Sequence, residues 1–332
     1  MSRQEYLFQH QKILYRTFKN ALSRDQVSHA YLLSGEQGTP LYETALFLAK
    51  TLVCDDPHPL ACETCWTCMR IDEGNYADLM ILDGSKRSIK KDDVQILENQ
   101  FEKTPMESKG KLIYLIHLVE NMTAEAVNSL LKFLEEPHEN VYAFLTTENE
   151  MKVLPTILSR VQKLPLKRIS QQQIIQEAKE EELDAQDSEL LSFFYNDADM
   201  IRKMSESEEY QIAHTCLNSF LEALENNPAE ARYLIQTEIA PALKSKEMAR
   251  FFLDLLSVVF QEILAANGKH SLILQSYDTI ISNLATTLKN VDSSLYHLMI
   301  ARGELDFNVN IPLLLDHLAI IMTKGDDSNG DQ

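Results

Sequence analysis

Between residues 30 and 166, short apolar runs alternate with segments whose apolar residues recur at helical spacing. This alternation restricts the fold more than any other feature of the chain. Ala30-Tyr-Leu-Leu-Ser34, Leu79-Met-Ile-Leu82, Leu112-Ile-Tyr-Leu-Ile116, Val141-Tyr-Ala-Phe-Leu145 and Val161 to Leu166 read as strands. A strand that is apolar throughout is buried on both faces, and strands separated by helices pair in parallel, so an α/β domain with a covered parallel sheet is expected. Leu41 to Val53 reads as a helix with Leu41, Ala45, Leu48, Ala49 and Leu52 on one face. Asp92 to Phe101 reads as another, and Thr123 can cap a third that runs to Glu136 and is stopped by Pro137. One helix over residues 8–23, carrying Ile13, Leu14, Phe18 and Leu22, precedes the first strand, and Pro155 opens a short helix ending near Arg160.

Strand signals stop near Lys167. Residues 167–205 read as short helices rich in Gln and Glu, and residues 206–325 as longer amphipathic helices, among them the strongly apolar stretch Met248 to Leu264. The second half is therefore expected to be all-helical, and residues 326–332 to be a disordered tail.

With 45% hydrophobic and 24% charged residues over 332 positions, the chain should be globular and large enough for two or three domains. No apolar run approaches the roughly 18 residues of a membrane span. The first residues, Met1 to Tyr6, hold no apolar signal core, so a cytoplasmic protein is expected. The net charge is −19. Nucleic-acid binders usually carry a basic stripe, and no useful run of basic residues is present. Lys86, Arg87, Lys90 and Lys91 come closest, but Asp92 and Asp93 follow at once. Either the acidity serves solubility, or a DNA-directed role would be exercised in a complex whose basic surfaces lie on other chains.

Cys54, Cys62, Cys65 and Cys68 form a C-x₇-C-x₂-C-x₂-C group, while Cys216 stands alone. Two-residue gaps let thiolates turn toward one metal ion, and Cys54 at a helix end can close the tetrahedron. An iron–sulfur cluster, which uses similar spacing, and a chance clustering of structural cysteines are the alternatives. Trp66, inside the loop, either covers such a site or presents a contact surface.

Four segments then fall in one order: His29-Ala-Tyr-Leu-Leu-Ser-Gly35, Met122-Thr-Ala-Glu-Ala-Val-Asn-Ser-Leu-Leu-Lys-Phe-Leu-Glu-Glu-Pro137, Phe144-Leu-Thr-Thr147 and Leu154-Pro-Thr-Ile-Leu-Ser-Arg160. Together they resemble the clamp-loader branch of the AAA+ family, and within it the delta-prime subunits of bacterial DNA polymerase III. The resemblance covers residues 5–170 in its motifs and the remainder by helical character alone. It implies a P-loop-type α/β domain over residues 1–166, with a zinc-binding insertion at 54–68. It also implies a helical lid over 167–205 and an oligomerising collar over 206–325. By the same resemblance the ion held by Cys54, Cys62, Cys65 and Cys68 is a structural Zn²⁺.

The departures from the family pattern are as informative as the match. A phosphate loop needs G-x-x-x-x-G-K-[ST], because glycine amides cradle phosphates, Lys reaches the terminal ones and the hydroxyl holds Mg²⁺. Here Gly35 and Gly38 are present, but Pro40 stands at the second required glycine, Leu41 at the lysine and Tyr42 at the hydroxyl. The Asp-Glu pair of an active site would fall at His117-Leu118, and no lid arginine can be placed between Asp197 and Arg202. The chain is therefore not expected to hydrolyse or to bind ATP. It is expected to be no enzyme by itself but a part of the DNA polymerase III holoenzyme. Ser159-Arg160 matches the family's Ser-Arg-Cys motif, with Val161 in place of the Cys, and implies an arginine finger offered in trans to a neighbour's ATP. The alternative is a surface arginine paired with a carboxylate. The implied partners are gamma/tau ATPase subunits and a delta subunit, with the sliding clamp and primed DNA reached through the complex. Two rival functions differ in class. One is an active gamma/tau-type ATPase, which the missing loop lysine opposes. The other is a zinc-binding adaptor outside replication, which the Leu154 to Arg160 segment opposes.

Overall fold

A computed structural model describes residues 2–101, 105–136, 139–268, 271–288, 290–307 and 309–323. Pro137 and the tail 326–332 lie outside the described residues. The chain divides into two units, Met1–Ile169 and Ser170–Gln332.

The first unit holds a parallel sheet in the order β2-β3-β4-β1-β5, formed by Leu79–Asp83, Leu112–His117, Val141–Thr147, Ala30–Ser34 and Gln162–Pro165 respectively. Successive residues of the three inner strands alternate between two buried faces. On one face Ala30, Leu32, Tyr114, Ile116, Ala143 and Leu145 join Val94 and Leu97 of α5 (Lys91–Phe101), Ala126 and Leu130 of α6 (Ala124–Glu135), and Ile157 of α7 (Pro155–Leu158). On the other face Tyr31 stacks on Phe144 with ring centroids 5.7 Å apart, and Phe18 packs edge-on against Tyr31 at 5.4 Å. Helix α3 (Leu41–Val53) crosses that side, and ten of its thirteen residues are buried.

Two expectations need correction. Burial on both faces holds for β1, β3 and β4, but β2 is half-exposed and β5 has one buried residue, because both are sheet edges. Pro165 lacks an N–H to donate and is tolerated at such an edge. The helix expected over residues 8–23 is two helices, α1 (Arg3–His10) and α2 (Lys12–Ser23). Gln11 breaks them at φ −116°, ψ 47°, and its buried side chain donates to the Lys167 carbonyl at 2.8 Å and accepts from the Lys167 amide at 2.9 Å. Those two tertiary bonds outweigh the continuous helical pattern.

The second unit holds no strand among its described residues. It begins with α8 (Gln171–Glu180), α9 (Ala185–Leu191), α10 (Ala198–Ser205) and α11 (Glu208–Asn226), each opened by a side-chain cap from Ser170, Asp184, Asp197 or Ser207. The helix Lys246–Asn267 packs against α11 and against Val291–Glu304, burying Phe220, Phe252, Leu253, Leu256 and Phe260. This unit contains both the segment expected as lid and the segment expected as collar.

Candidate functional site

The loop between β1 and α3 is tied partly to itself and partly to the end of β4. The Gly35 amide donates to the Thr147 carbonyl at 3.2 Å, the Thr39 amide to the Glu36 carbonyl at 3.1 Å, and the Leu41 amide to the Thr39 carbonyl at 2.7 Å. Gly38 takes φ +85°, which the tight turn over residues 36–39 requires. Pro40 supplies no N–H, and the side chain of Leu41 is turned inward, 2% exposed. A phosphate cradle needs several amides pointing outward at once, and the amides of residues 35, 39 and 41 are already spent on carbonyls.

The end of β3 carries no acidic pair. His117 and Leu118 share one partner: His117 Nδ1 lies 2.7 Å from Thr146 Oγ1, and the Leu118 amide donates to the same oxygen at 3.0 Å. Leu118 sits in the left-handed region at φ +56°. Tyr42 closes edge-on over His117, with ring centroids 5.4 Å apart. Burial pushes the His117 imidazole below its usual pKa, against the pull of Asp83, Glu43 and Glu120, so it is held neutral. Asp83 stands opposite His117 on β2. Burial alone would raise its carboxyl, but hydrogen bonds from the Ser85 hydroxyl (2.6 Å) and amide (2.9 Å) bring it below the ordinary range. Gly84 follows because a Cβ there would meet the His117 and Leu118 carbonyl oxygens at 2.7 and 2.8 Å.

Ser159 and Arg160 follow the single turn of α7, whose first residue is Pro155. Arg160 Nη1 donates to the Thr156 carbonyl at 2.8 Å and to Ser159 Oγ at 3.3 Å, while Nη2 donates to Glu135 at the end of α6 at 2.7 Å. Both ends of that ion pair are open to solvent, with 32% and 50% side-chain exposure. The guanidinium is thus aimed by one turn of helix and one carboxylate. Glu135 was legible only as part of the Leu-Glu-Glu-Pro motif, and nothing in the spacing disclosed its partner. In the second unit, Arg202 donates to the Glu181 side chain at 2.7 Å and to its carbonyl at 3.2 Å.

The four cysteines converge. Their sulfurs all lie within 4.8 Å of one another, with Cys54 Sγ 3.5 Å from Cys62 Sγ and 3.9 Å from Cys65 Sγ. Backbone amides of Cys62, Cys65 and Cys68 donate to the sulfurs of Cys54, Cys62 and Cys65 at 3.3–3.5 Å. Burial opposes ionisation of Cys62, but the amides of Thr64 and Cys65 and the Cys54 thiol outweigh it and lower its pKa to about 6, whereas burial pushes the Cys68 thiol well up. Four sulfurs so close cannot all ionise without a cation among them, and together they could hold one metal ion. Their setting is rigid. α4 (Trp66–Asp72) is capped by the Cys65 side chain and tied to α3 through the buried Lys50, which pairs with Asp72 at 2.7 Å. Arg70 grips Glu107 through two bonds of 3.0 and 2.7 Å, and Lys109 pairs with Asp55 at 3.1 Å. Sequence reasoning missed these supports, because their partners are up to 54 residues apart (109 − 55). Trp66, the first residue of α4, is 69% exposed.

Comparison with known proteins places the chain in a family. A family model described as "DNA polymerase III, delta subunit" matches residues 10–170. The chain is 33% identical to the DNA polymerase III subunit delta' of Bacillus subtilis, over 95% of both chains. The chain belongs to the DNA polymerase III delta-prime family. That is the clamp-loader family which its four motifs resemble. Against the DNA polymerase III subunit tau of Escherichia coli the identity is 36%, but over 47% of this chain and 24% of that one, so the kinship with tau is confined to part of each. A solved Thermotoga maritima protein related to the gamma subunit of DNA polymerase III shares the fold, with a TM-score of 0.50 and 19% identity over 93% of this chain and 98% of that one. Among the described residues no helix is long and apolar enough to cross a membrane.

Proposed function

We propose that this clamp-loader subunit neither binds nor hydrolyses ATP and instead offers Arg160 to the ATP site of an adjacent subunit. The observation that carries the reading is the closed loop: the amides of Gly35, Thr39 and Leu41 donate to carbonyls, Pro40 has none, and Tyr42 packs over His117. A nucleotide would find neither a cradle nor a carboxylate pair to hold Mg²⁺ and activate water. Arg160, by contrast, is held at the surface by an exposed ion pair worth about 0–1 kcal/mol, which a triphosphate could displace. Its planar fork suits phosphate oxygens, and in trans it would stabilise charge developing on a neighbour's γ-phosphate.

The partners in this reading are gamma/tau-type ATPases and a delta subunit, and the complex loads the sliding clamp onto primed DNA in the cytoplasm. The α/β unit, a lid near residues 167–205 and a collar over 206–325 would divide recognition from assembly. The four cysteines would hold one structural Zn²⁺. A tetrahedral zinc–thiolate site places sulfurs about 3.8 Å apart, given Zn–S bonds of about 2.3 Å. The Cys54–Cys62 and Cys54–Cys65 separations of 3.5 and 3.9 Å fit that spacing, and all four positions would be filled by protein. Reconstitution tests the proposal: the isolated chain should turn over no ATP, and adding it to the tau and delta subunits should raise DNA-stimulated turnover. A purified chain that hydrolyses ATP on its own contradicts it.

A further inference from the structure

Helix α2 of this acidic chain gathers on one face three cations that no carboxylate answers among the described residues. In α2, Lys12, Arg16 and Lys19 recur at helical spacing, and all three are exposed. In the linear sequence uncharged residues separate them, so no basic run is visible, but the helix gathers them on one side. None of the three has a carboxylate partner among the described residues. Several other cations of this unit are neutralised: Arg87 by Asp93 at 2.6 Å, Lys109 by Asp55 at 3.1 Å, Arg168 by Glu36 at 3.5 Å. With 50 acidic against 31 basic side chains, three adjacent unanswered cations run against the composition. Like charges three and four residues apart on a helix destabilise it slightly, so folding alone does not explain the arrangement.

The same face is concave and aromatic. A cavity of about 580 Å³ is lined by the three cations with Phe8, Tyr15 and Asn20, and by the neighbouring Gln9. Phe8 projects from α1, 60% exposed, with its ring 5.5 Å from Tyr15 in an edge-on arrangement, and Lys19 Nζ lies 5.9 Å from the Tyr15 ring centre. From Lys12 to Lys19 the helix rises about 10 Å, a span that reaches more than one phosphate. We infer that the α1–α2 face, through Lys12, Arg16, Lys19 and the Phe8 ring, binds single-stranded nucleic acid. Cations beside an exposed ring match a strand whose phosphates and bases alternate, and the Asn20 and Gln9 amides can both donate to and accept from base edges. An acidic peptide would use the cations but leave the ring without work, and a duplex keeps its base faces stacked away from Phe8. The inference stands on this surface and not on the proposed role of Arg160.

Fluorescence anisotropy of the full chain with a labelled oligothymidylate of about a dozen nucleotides tests it, a length within the span such sites occupy. Binding should weaken steeply as salt rises. The combined Lys12→Ala, Arg16→Ala, Lys19→Ala variant should bind at least about tenfold more weakly and lower the log–log salt slope by about 2. Phe8→Ala should lose roughly tenfold, and Phe8→Tyr should retain binding because the ring remains. Lys90→Ala with Lys91→Ala should bind as wild type. The altered side chains are exposed, so melting temperatures should hold; should Phe8→Ala unfold, Phe8→Ser and the lysine substitutions still decide the matter. Equal binding by wild type and the triple variant, or no binding by either, overturns the inference. So does capture of a poly-glutamate peptide by these residues with no competition from the oligonucleotide.

Discussion

Arg160 and Glu135 meet at 2.7 Å across the ends of two helices, the guanidinium following α7 and the carboxylate closing α6. The pair joins the two most distinctive motifs of the chain, Leu134-Glu-Glu136 and Leu154 to Arg160. It fixes where the guanidinium points while the fork keeps further N–H groups to offer. Because both partners are solvated, Glu135→Gln should lower unfolding free energy by no more than about 1 kcal/mol in urea denaturation. A loss of 3 kcal/mol or more, the scale of a broken buried pair, would show that the contact is structural.

The inner sheet was legible because each of its strands carries an unbroken apolar run, and Thr123 and Pro155 announced their helices through cap and first-turn chemistry. The break at Gln11 was not legible, since it answers to Lys167, 156 residues away. At the site, the cysteine group and the degenerate loop could be read from spacing. The closure of Tyr42 over His117 and the pairing of buried Lys50 with half-exposed Asp72 could not, because each joins side chains from separate elements. The basic face of α2 was missed for a different reason: a linear search for charge runs overlooks cations that only helical periodicity brings together.

The cysteine module should contain about one zinc per chain by metal analysis. Cys65→Ser removes one proposed ligand while its hydroxyl can still cap α4, so zinc content should drop and the melting temperature of the α/β unit should fall through loss of the metal. Native protein that lacks metal and shows four freely titrating thiols in this group would contradict the assignment.

Leu41→Lys should not create an ATPase. The lysine would enter a loop in which the amides of Gly35, Thr39 and Leu41 already donate to carbonyls and Pro40 has none, with His117 and Leu118 where two carboxylates are needed. Since Leu41 is buried, the variant should also lose stability, on the order of several kcal/mol. Turnover above background in this single variant would show the site to be closer to competence than its geometry implies.

Stability should depend on pH through His117. Its folded pKa lies below the ordinary value of about 6.5, so the neutral ring is favoured by the fold. That contribution is present above about pH 6.5 and is lost as pH falls through the depressed folded value, because protonation is easier in the unfolded chain. The melting temperature of wild type relative to His117→Gln should therefore decline from pH 7.5 to about pH 5. A difference that stays constant over that range would mean that His117 does not titrate differently on unfolding.

Arg160 is proposed to work on a neighbour's ATP. A finger in trans contributes on the order of 10³–10⁵ in rate in well-studied phosphoryl-transfer systems, but a loader with several ATP sites loses only one of them. The direct measurement is DNA-stimulated ATP turnover and clamp loading by a reconstituted complex carrying Arg160→Ala. The variant should fold, keep its zinc and assemble, while turnover and loading fall severalfold, and Arg160→Lys should rescue poorly because the planar fork is lost. An Arg160→Ala complex that assembles normally and loads clamps at the wild-type rate would leave Arg160 as a surface residue paired with Glu135 and nothing more.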